Sequence, residues 1–113
     1  NDAYLTKVQN LANQVLADLG SGLHVDRDAD LHMDMNYYAP GYEQPNEMAS
    51  EAIKMLARLE GLFVDPVYTG KALAGLIDHI RTGKVEQGSN VVFWHTGGAT
   101  ALFAEQQMLG DIF

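Results

Sequence analysis

The chain contains no cysteine among its 113 residues. Disulfide bonds, thiolate nucleophiles and zinc sites built on cysteine are therefore excluded. The absence fits a reducing compartment, and we expect the protein to be cytoplasmic.

Positive charge and long apolar runs are also scarce. Seven Lys and Arg stand against fifteen Asp and Glu, which gives a net charge of -8. Because nucleic acid is bound by clustered Lys and Arg, we expect no nucleic-acid partner. No apolar run reaches the roughly 18 residues that a membrane span needs, and no signal-peptide pattern opens the chain. We therefore expect no membrane partner.

The composition that remains is that of a globular protein. Hydrophobic residues make up 47% of the chain and charged residues 19%, a balance that argues against disorder. The length suits one domain and is too short for two. The chain starts at Asn1 without an initiator methionine, and we expect it to be a piece of a longer protein.

Four stretches have the apolar spacing of an amphipathic helix. Each is bounded by a cap residue or a glycine, which are the usual signals for helix ends. The predicted helices run from Asp2 to Gly20, from Asn46 to Gly61, from Thr69 to Gly83 and from Ala99 through Met108.

Three short apolar segments between these helices are predicted to be strands. Residues 31–35 alternate apolar and polar side chains, whereas residues 62–64 and 90–94 have the composition of buried strands. The order αβαβαβα predicts an α/β fold, a partial open parallel sheet with crossover helices. Such a sheet is buried on both faces, so three strands make a thin core. We expect the domain to continue on one side.

Two turns after predicted strands carry hydroxyl groups. Tyr68 and Thr69 follow an Asp-Pro pair, and Thr96 is followed by Gly97 and Gly98. In an open α/β sheet, ligands bind outside the carboxyl ends of the strands, so we expect both turns to face one pocket. The alternatives are that Tyr68 packs at the edge of the core, that Thr69 is only a helix cap, and that the glycine turn simply leads into the last helix.

Further side chains are candidates for chemistry. Tyr42, in the turn-rich loop 37–45, can stack on a ligand or bind a carboxylate, or else anchor the loop by packing. His95 is predicted to be a hydrogen-bonded structural residue, and Lys71 to be solvated or paired with a carboxylate. Residues 26–30 resemble the start of a calcium loop. The loop's glycine and closing glutamate are replaced by Leu31 and Tyr37, so no metal site is predicted.

Five segments together resemble the carboxyl-terminal part of the D-cysteine desulfhydrase and aminocyclopropane-carboxylate deaminase family of pyridoxal-phosphate enzymes. The resemblance covers nearly the whole chain and keeps the order and spacing of the motifs. It implies a fold-type II enzyme similar to the tryptophan synthase β chain, with residues 1–113 as the carboxyl-terminal fragment of its large cofactor-binding domain. The segments are residues 38–42 (YAPGY), 45–46 (PN), 54–61 (KMLARLEG), 65–71 (DPVYTGK) and 95–98 (HTGG).

The resemblance also implies roles for individual residues. Tyr68 and Tyr42 correspond to catalytic residues on the substrate side of pyridoxal phosphate, and Thr96, Thr69 and Gly97 to cofactor-binding residues. The deaminases typically have glutamate at the position of Thr69 and leucine at that of Thr96. The two threonines therefore favour the desulfhydrase branch, because a neutral hydroxyl suits an unprotonated pyridine nitrogen.

The activity implied by the resemblance is α,β-elimination of a small amino acid, D-cysteine, to pyruvate, hydrogen sulfide and ammonia. The family's Schiff-base lysine and phosphate loop lie upstream of Asn1, and none of the four lysines stands in that lysine motif. We therefore expect the 113 residues to be inactive alone and the full-length enzyme to be a homodimer. The alternatives are an aminocyclopropane-carboxylate deaminase and a non-catalytic binding or oligomerisation module.

Overall fold

A computed structural model describes residues 2–44 and 46–104 of the chain. None of the helices in these ranges is long and apolar enough to cross a membrane. Three parts of the predictions lie outside the described residues: Asn1, Pro45 of the PN motif, and residues 105–108 of the predicted last helix. The helices are α1 (Asp2–Asp18), α2 (Arg27–Asp30), α3 (Glu47–Glu60), α4 (Thr69–Arg81) and α5 (Ala101–Ala104).

The chain divides into two compact units, and the first is Asn1–Asp34. Asn13 of α1 holds the returning chain by exchanging two hydrogen bonds of 2.8 and 2.9 Å with the backbone of Val25. Asp26 caps α2, which the sequence did not predict, by accepting from the amides of Asp28 and Ala29. Residues 26–30 thus form a capped helix start. The hydrogen bond from the Ala29 amide is the main cause of the lowered pKa of Asp26.

The second unit, Met35–Phe113, is built on the pairing of α3 with α4. Its fully buried residues include Ile53 of α3 and Val64, which lies between the two helices. Leu73 of α4 and Leu102 of α5 belong to the same buried cluster. Burial of such side chains contributes on the order of 1.5–3 kcal/mol each, so this small cluster holds the helices in place.

The ends of α3 are those that the sequence predicted. The Asn46 side chain accepts a hydrogen bond from the Ala49 amide at 3.0 Å, which satisfies one of the free donors of the first turn. At the other end, Gly61 adopts a left-handed conformation with φ of 67°, and its amide donates to the Ala57 carbonyl. Both caps are confirmed.

The predicted α/β class is wrong for the part of the chain that the structure describes. Residues 31–35, 62–64 and 90–94 carry no strand assignment, and no sheet is formed within the described ranges. A strand exists only as part of a hydrogen-bonded ladder with a neighbour, and apolar periodicity does not reveal whether that neighbour is present. Along the last segment Val92 is 85% and Trp94 80% exposed, so the expectation of burial also fails there.

Candidate functional site

The start of α4 is organised around the carboxylate of Asp65, which is only 1% exposed. Its two oxygens accept hydrogen bonds from the amides of Val67, Tyr68 and Thr69 at 2.7–2.8 Å. The Thr69 hydroxyl donates to the same carboxylate and accepts from the Asp65 amide. Aspartate before proline is a favoured way to begin a helical turn. The turn that presents Tyr68 is therefore held from within by a reciprocal pair of residues.

Ionisation of Asp65 reflects two opposing influences. Burial is the largest single influence and raises its pKa, because it disfavours the charged form. The hydrogen bonds from Thr69, Tyr68 and Val67 act the other way and together hold the pKa below its ordinary value. The carboxylate is thus charged in the folded protein.

Two glycines allow the backbone to pass close to this turn. A Cβ at Gly70 would lie 2.5 Å from the Asp65 carbonyl oxygen, and one at Gly98 would lie 3.0 Å from the Asp65 side chain. Gly98 also has φ of 85°, which side-chain-bearing residues rarely adopt. These contacts explain the glycine in the YTG motif, and they place the end of the HTGG motif against the DPVYTGK motif.

The tyrosine loop, residues 37–44, is fastened to α4 and to Asn46, the cap residue of α3. The Tyr37 hydroxyl donates to Asp78 of α4 at 2.6 Å, and the Asn46 side chain donates to the Ala39 carbonyl at 2.6 Å. The Lys71 ammonium donates to the carbonyls of Gly41 and Tyr38 at 2.7 and 3.2 Å. The loop is therefore placed by helix side chains that bind mainly its backbone oxygens.

Tyr42 of this loop meets Tyr68 of the capped turn. Their hydroxyl oxygens are 3.1 Å apart, and their rings lie 5.9 Å apart at 55°. Both side chains are more than 60% exposed, at 62% and 61%. The hydrogen bond that Tyr42 shares with the Tyr68 hydroxyl, with the nearby charge of Glu43, raises the pKa of Tyr42 to about 12. The Tyr42 phenol therefore keeps its proton at neutral pH.

The second predicted turn is shaped by His95. Its Nε2 lies 2.8 Å from the Phe63 carbonyl oxygen, and its Nδ1 lies 3.0 Å from the Gly97 amide. The amide can only donate and the carbonyl can only accept, so the ring carries its proton on Nε2. His95 thus ties the segment before α4 to the Thr96–Gly97 turn, as expected of a structural histidine. Thr96 and Gly97 themselves are exposed.

Most of the chain, including the first turn and part of the second, matches a known enzyme family. The family model described as "Pyridoxal-phosphate dependent enzyme" matches residues 5–97, which is most of the chain. The chain belongs to this pyridoxal-phosphate-dependent enzyme family.

The chain is also similar in sequence to individual members of this family. The chain is 55% identical over 76 residues to D-cysteine desulfhydrases of Salmonella typhi, Salmonella newport and Salmonella enteritidis. The aligned part is 67% of this chain but only 23% of each relative. The chain thus spans about a quarter of the length of the curated relatives that it matches, and it is similar to a fragment of such an enzyme.

The residues present suit one edge of the pyridoxal-phosphate cofactor that the family uses. Thr96 offers an exposed hydroxyl, and a Cβ placed at Gly97 would meet nothing within 4 Å, which leaves room for a flat ring. Thr69 is different, because it is 4% exposed and its hydroxyl is engaged by Asp65. Lys71 offers no free amine, since its ammonium is bound to two carbonyls.

The structure brings several of the predicted site residues together. Tyr42 and Tyr68 come together, and the two predicted turns lie against each other through His95 and Gly98. Whether any of these residues touches cofactor or substrate stays a prediction. The expectation for Lys71 was wrong, because it is 6% exposed and is neither solvated nor paired with a carboxylate in the described ranges. Its burial depends on a loop 30 residues earlier in the chain.

Sequence reasoning missed the part played by Asp65. The sequence marked the Asp-Pro pair only as the residues that precede the turn carrying Tyr68 and Thr69. A usable signal was present, since an aspartate followed by proline is typical of a turn in which the aspartate side chain accepts hydrogen bonds from the backbone amides that follow.

Proposed function

We propose that this chain is part of a pyridoxal-phosphate-dependent D-cysteine desulfhydrase. Such an enzyme converts D-cysteine to pyruvate, hydrogen sulfide and ammonia by α,β-elimination. The observation that carries the proposal is the meeting of the Tyr42 and Tyr68 hydroxyls at 3.1 Å, in a chain 55% identical over 76 residues to enzymes of that name. Two hydroxyls that converge on one point can donate hydrogen bonds to, and accept them from, a small polar substrate.

Tyr42 and Tyr68 are the groups that we assign to the substrate. A phenol with a pKa of about 12 stays neutral and can donate a hydrogen bond to an anion. D-cysteine presents two such groups, its carboxylate and the sulfur that departs with the electron pair of the Cβ–S bond. We assign Tyr42 to bind and orient the substrate and Tyr68 to lie beside the reacting atoms, where its O–H would turn from Tyr42 to the sulfur.

Thr96, Thr69 and Gly97 are the residues that we assign to the cofactor. Bound pyridoxal phosphate supplies an electron sink for the charge left at the substrate Cα when its proton is removed. The exposed Thr96 hydroxyl would hydrogen-bond the ring nitrogen, and Gly97 would leave space for the ring. We also assign Thr69 to the cofactor, beside Thr96, and to bind the cofactor directly it must exchange its present partner, Asp65.

The remaining parts of the proposal concern the longer protein. We assign residues 1–113 to the carboxyl-terminal part of the cofactor-binding domain, and the lysine that anchors the cofactor to another part of the enzyme. We also propose a cytoplasmic homodimer, which sedimentation of the full-length protein would test. Because Lys71 is committed to two carbonyls, the isolated chain should release no pyruvate from D-cysteine when cofactor is added.

The test compares two substrates in the full-length protein that carries this chain. We expect pyruvate and sulfide from D-cysteine, and little ammonia from 1-aminocyclopropane-1-carboxylate. Tyr68→Phe should lower kcat/KM for D-cysteine by about 10- to 100-fold, the scale of one hydrogen bond to a charged group. Tyr38→Phe is the matched control, because Tyr38 lies in the same loop and is 56% exposed. Preference for the cyclopropane substrate, or equal effects of the two substitutions, would contradict the proposal.

A further inference from the structure

Lys71 is a buried cation in an unfavourable place. It is 6% exposed and lies in the first turn of α4. The positive end of the helix dipole is found there, so acidic side chains are favoured and ammonium groups are not. Burial of a charge is costly unless the charge is hydrogen-bonded. Something outside α4 must therefore stabilise the ammonium.

That stabilisation comes from the tyrosine loop. The ammonium donates to the carbonyl oxygens of Gly41 and Tyr38 at 2.7 and 3.2 Å. For two carbonyls three residues apart to reach one nitrogen, the chain between them has to fold back on itself. The Lys71 side chain therefore fixes the course of the loop as well as its distance from α4.

The position of these contacts links them to the tyrosine pair. Gly41 directly precedes Tyr42, and Lys71 follows Tyr68 by three residues in the same capped helix start. The other fastenings act earlier in the loop, where Asn46 binds the Ala39 carbonyl at 2.6 Å. Loss of the Lys71 contacts would leave the beginning of the loop attached and release the part that carries Tyr42.

We propose that Lys71 is a positioning residue that holds Tyr42 against Tyr68 by binding the loop carbonyls on either side of the loop's turn. Its effect on catalysis rests on the function proposed above, whereas its effect on the geometry of the tyrosine pair does not. Lys71 itself touches neither substrate nor cofactor. It acts through Tyr42.

The first experiment measures the tyrosine pair directly in the protein that carries this chain. Lys71→Met shortens the unbranched side chain by one atom and removes its donors. NMR with tyrosine labelled at Cζ follows each phenol through its titration. We expect the pKa of Tyr42 to fall from about 12 towards the ordinary 10.0, because the Tyr68 hydrogen bond is lost. Lys54→Met, on α3, is the matched control and should leave the titration unchanged. An unchanged Tyr42 titration in Lys71→Met would overturn the proposal.

The second experiment is a double-mutant cycle on kcat for D-cysteine. Loss of a hydrogen bond to a charged donor predicts that Lys71→Met lowers kcat by about 10- to 100-fold. In a Tyr42→Phe background the same substitution should lower kcat less than threefold, since a residue that acts through Tyr42 has little left to position. Equal losses in both backgrounds would show a general structural role and refute the proposal.

Two further variants keep the result interpretable. Lys71→Arg retains the charge and donors and should restore part of the Tyr42 titration shift. If circular dichroism shows that Lys71→Met does not fold, Lys71→Gln takes its place in both experiments, with the same deciding outcomes. If the full-length protein does not act on D-cysteine, the proposed function fails, but the phenol titration still decides the role of Lys71.

Discussion

Replacement of Asp65 by asparagine tests the turn on which Tyr68 is mounted. The substitution preserves size and shape but turns one carboxylate oxygen into an NH2 group. Both oxygens are in use, since Oδ1 accepts from the amide and hydroxyl of Thr69, and Oδ2 accepts from the amides of Val67 and Tyr68. Whichever way the new amide is turned, its NH2 group faces two donors.

The expected cost follows from these contacts. A buried donor left without an acceptor costs about 1–3 kcal/mol, and asparagine leaves two donors in that state. Because Val67 and Tyr68 are only partly buried, we expect a loss of about 3 kcal/mol in the free energy of unfolding. Urea denaturation followed by circular dichroism measures it. Asp28→Asn is the control, since the Asp28 side chain is 79% exposed, and it should change stability by no more than about 0.5 kcal/mol.

The same variant should alter the dependence of stability on pH. Hydrogen bonds hold the pKa of Asp65 below its ordinary value of 3.8 in the folded protein, so below neutrality the unfolded chain binds more protons than the folded one. The stabilisation is complete above the unfolded pKa and is lost as the pH falls through the folded pKa. The Asp65→Asn variant should lack this contribution, so its stability should fall less steeply as the pH is lowered. A loss no larger than that of Asp28→Asn, or an unchanged acid slope, would refute the argument.

Two further predictions concern packing around α4. Gly70→Ala should destabilise the protein by about 2 kcal/mol, because the new Cβ would lie 2.5 Å from the Asp65 carbonyl oxygen. Gly22→Ala, where a Cβ meets nothing within 4 Å, should be neutral or slightly stabilising in the same denaturation assay. Tyr37→Phe should cost about 1 kcal/mol by removing the 2.6 Å hydrogen bond to Asp78. A thermal melt indistinguishable from that of the unsubstituted protein would show that this bond adds nothing to stability.

The helices could be predicted from the sequence because their signals are local. Apolar spacing and the caps at Asn46 and Gly61 depend on neighbours within a turn or two. The strands could not be predicted in the same way, since a ladder requires another backbone at the right distance. Residues 62–64 and 90–94 have strand composition, but composition does not supply a partner.

The sequence could identify the residues of the candidate site that lie in recognisable motifs, but not the contacts that those residues make with distant segments. The motifs around Tyr42 and Tyr68 are enough to identify both as candidates, and the structure brings their hydroxyls together. Thr69 illustrates the limit, because the choice between cap and ligand depends on Asp65, whose carboxylate takes up its hydroxyl. Lys71 was misjudged for a related reason. Its surroundings come from a loop 30 residues away, which helical periodicity cannot reveal.

Trp94 is the only tryptophan in the chain, and it lies 80% exposed on an extended apolar segment. An indole in this position is an intrinsic fluorescent reporter of the exposed surface around it. Its emission shifts to shorter wavelength, and small quenchers lose access to it, whenever another polypeptide covers that surface. Assembly of the chain with a second copy, or with the remainder of a longer protein, can therefore be followed optically without any added label.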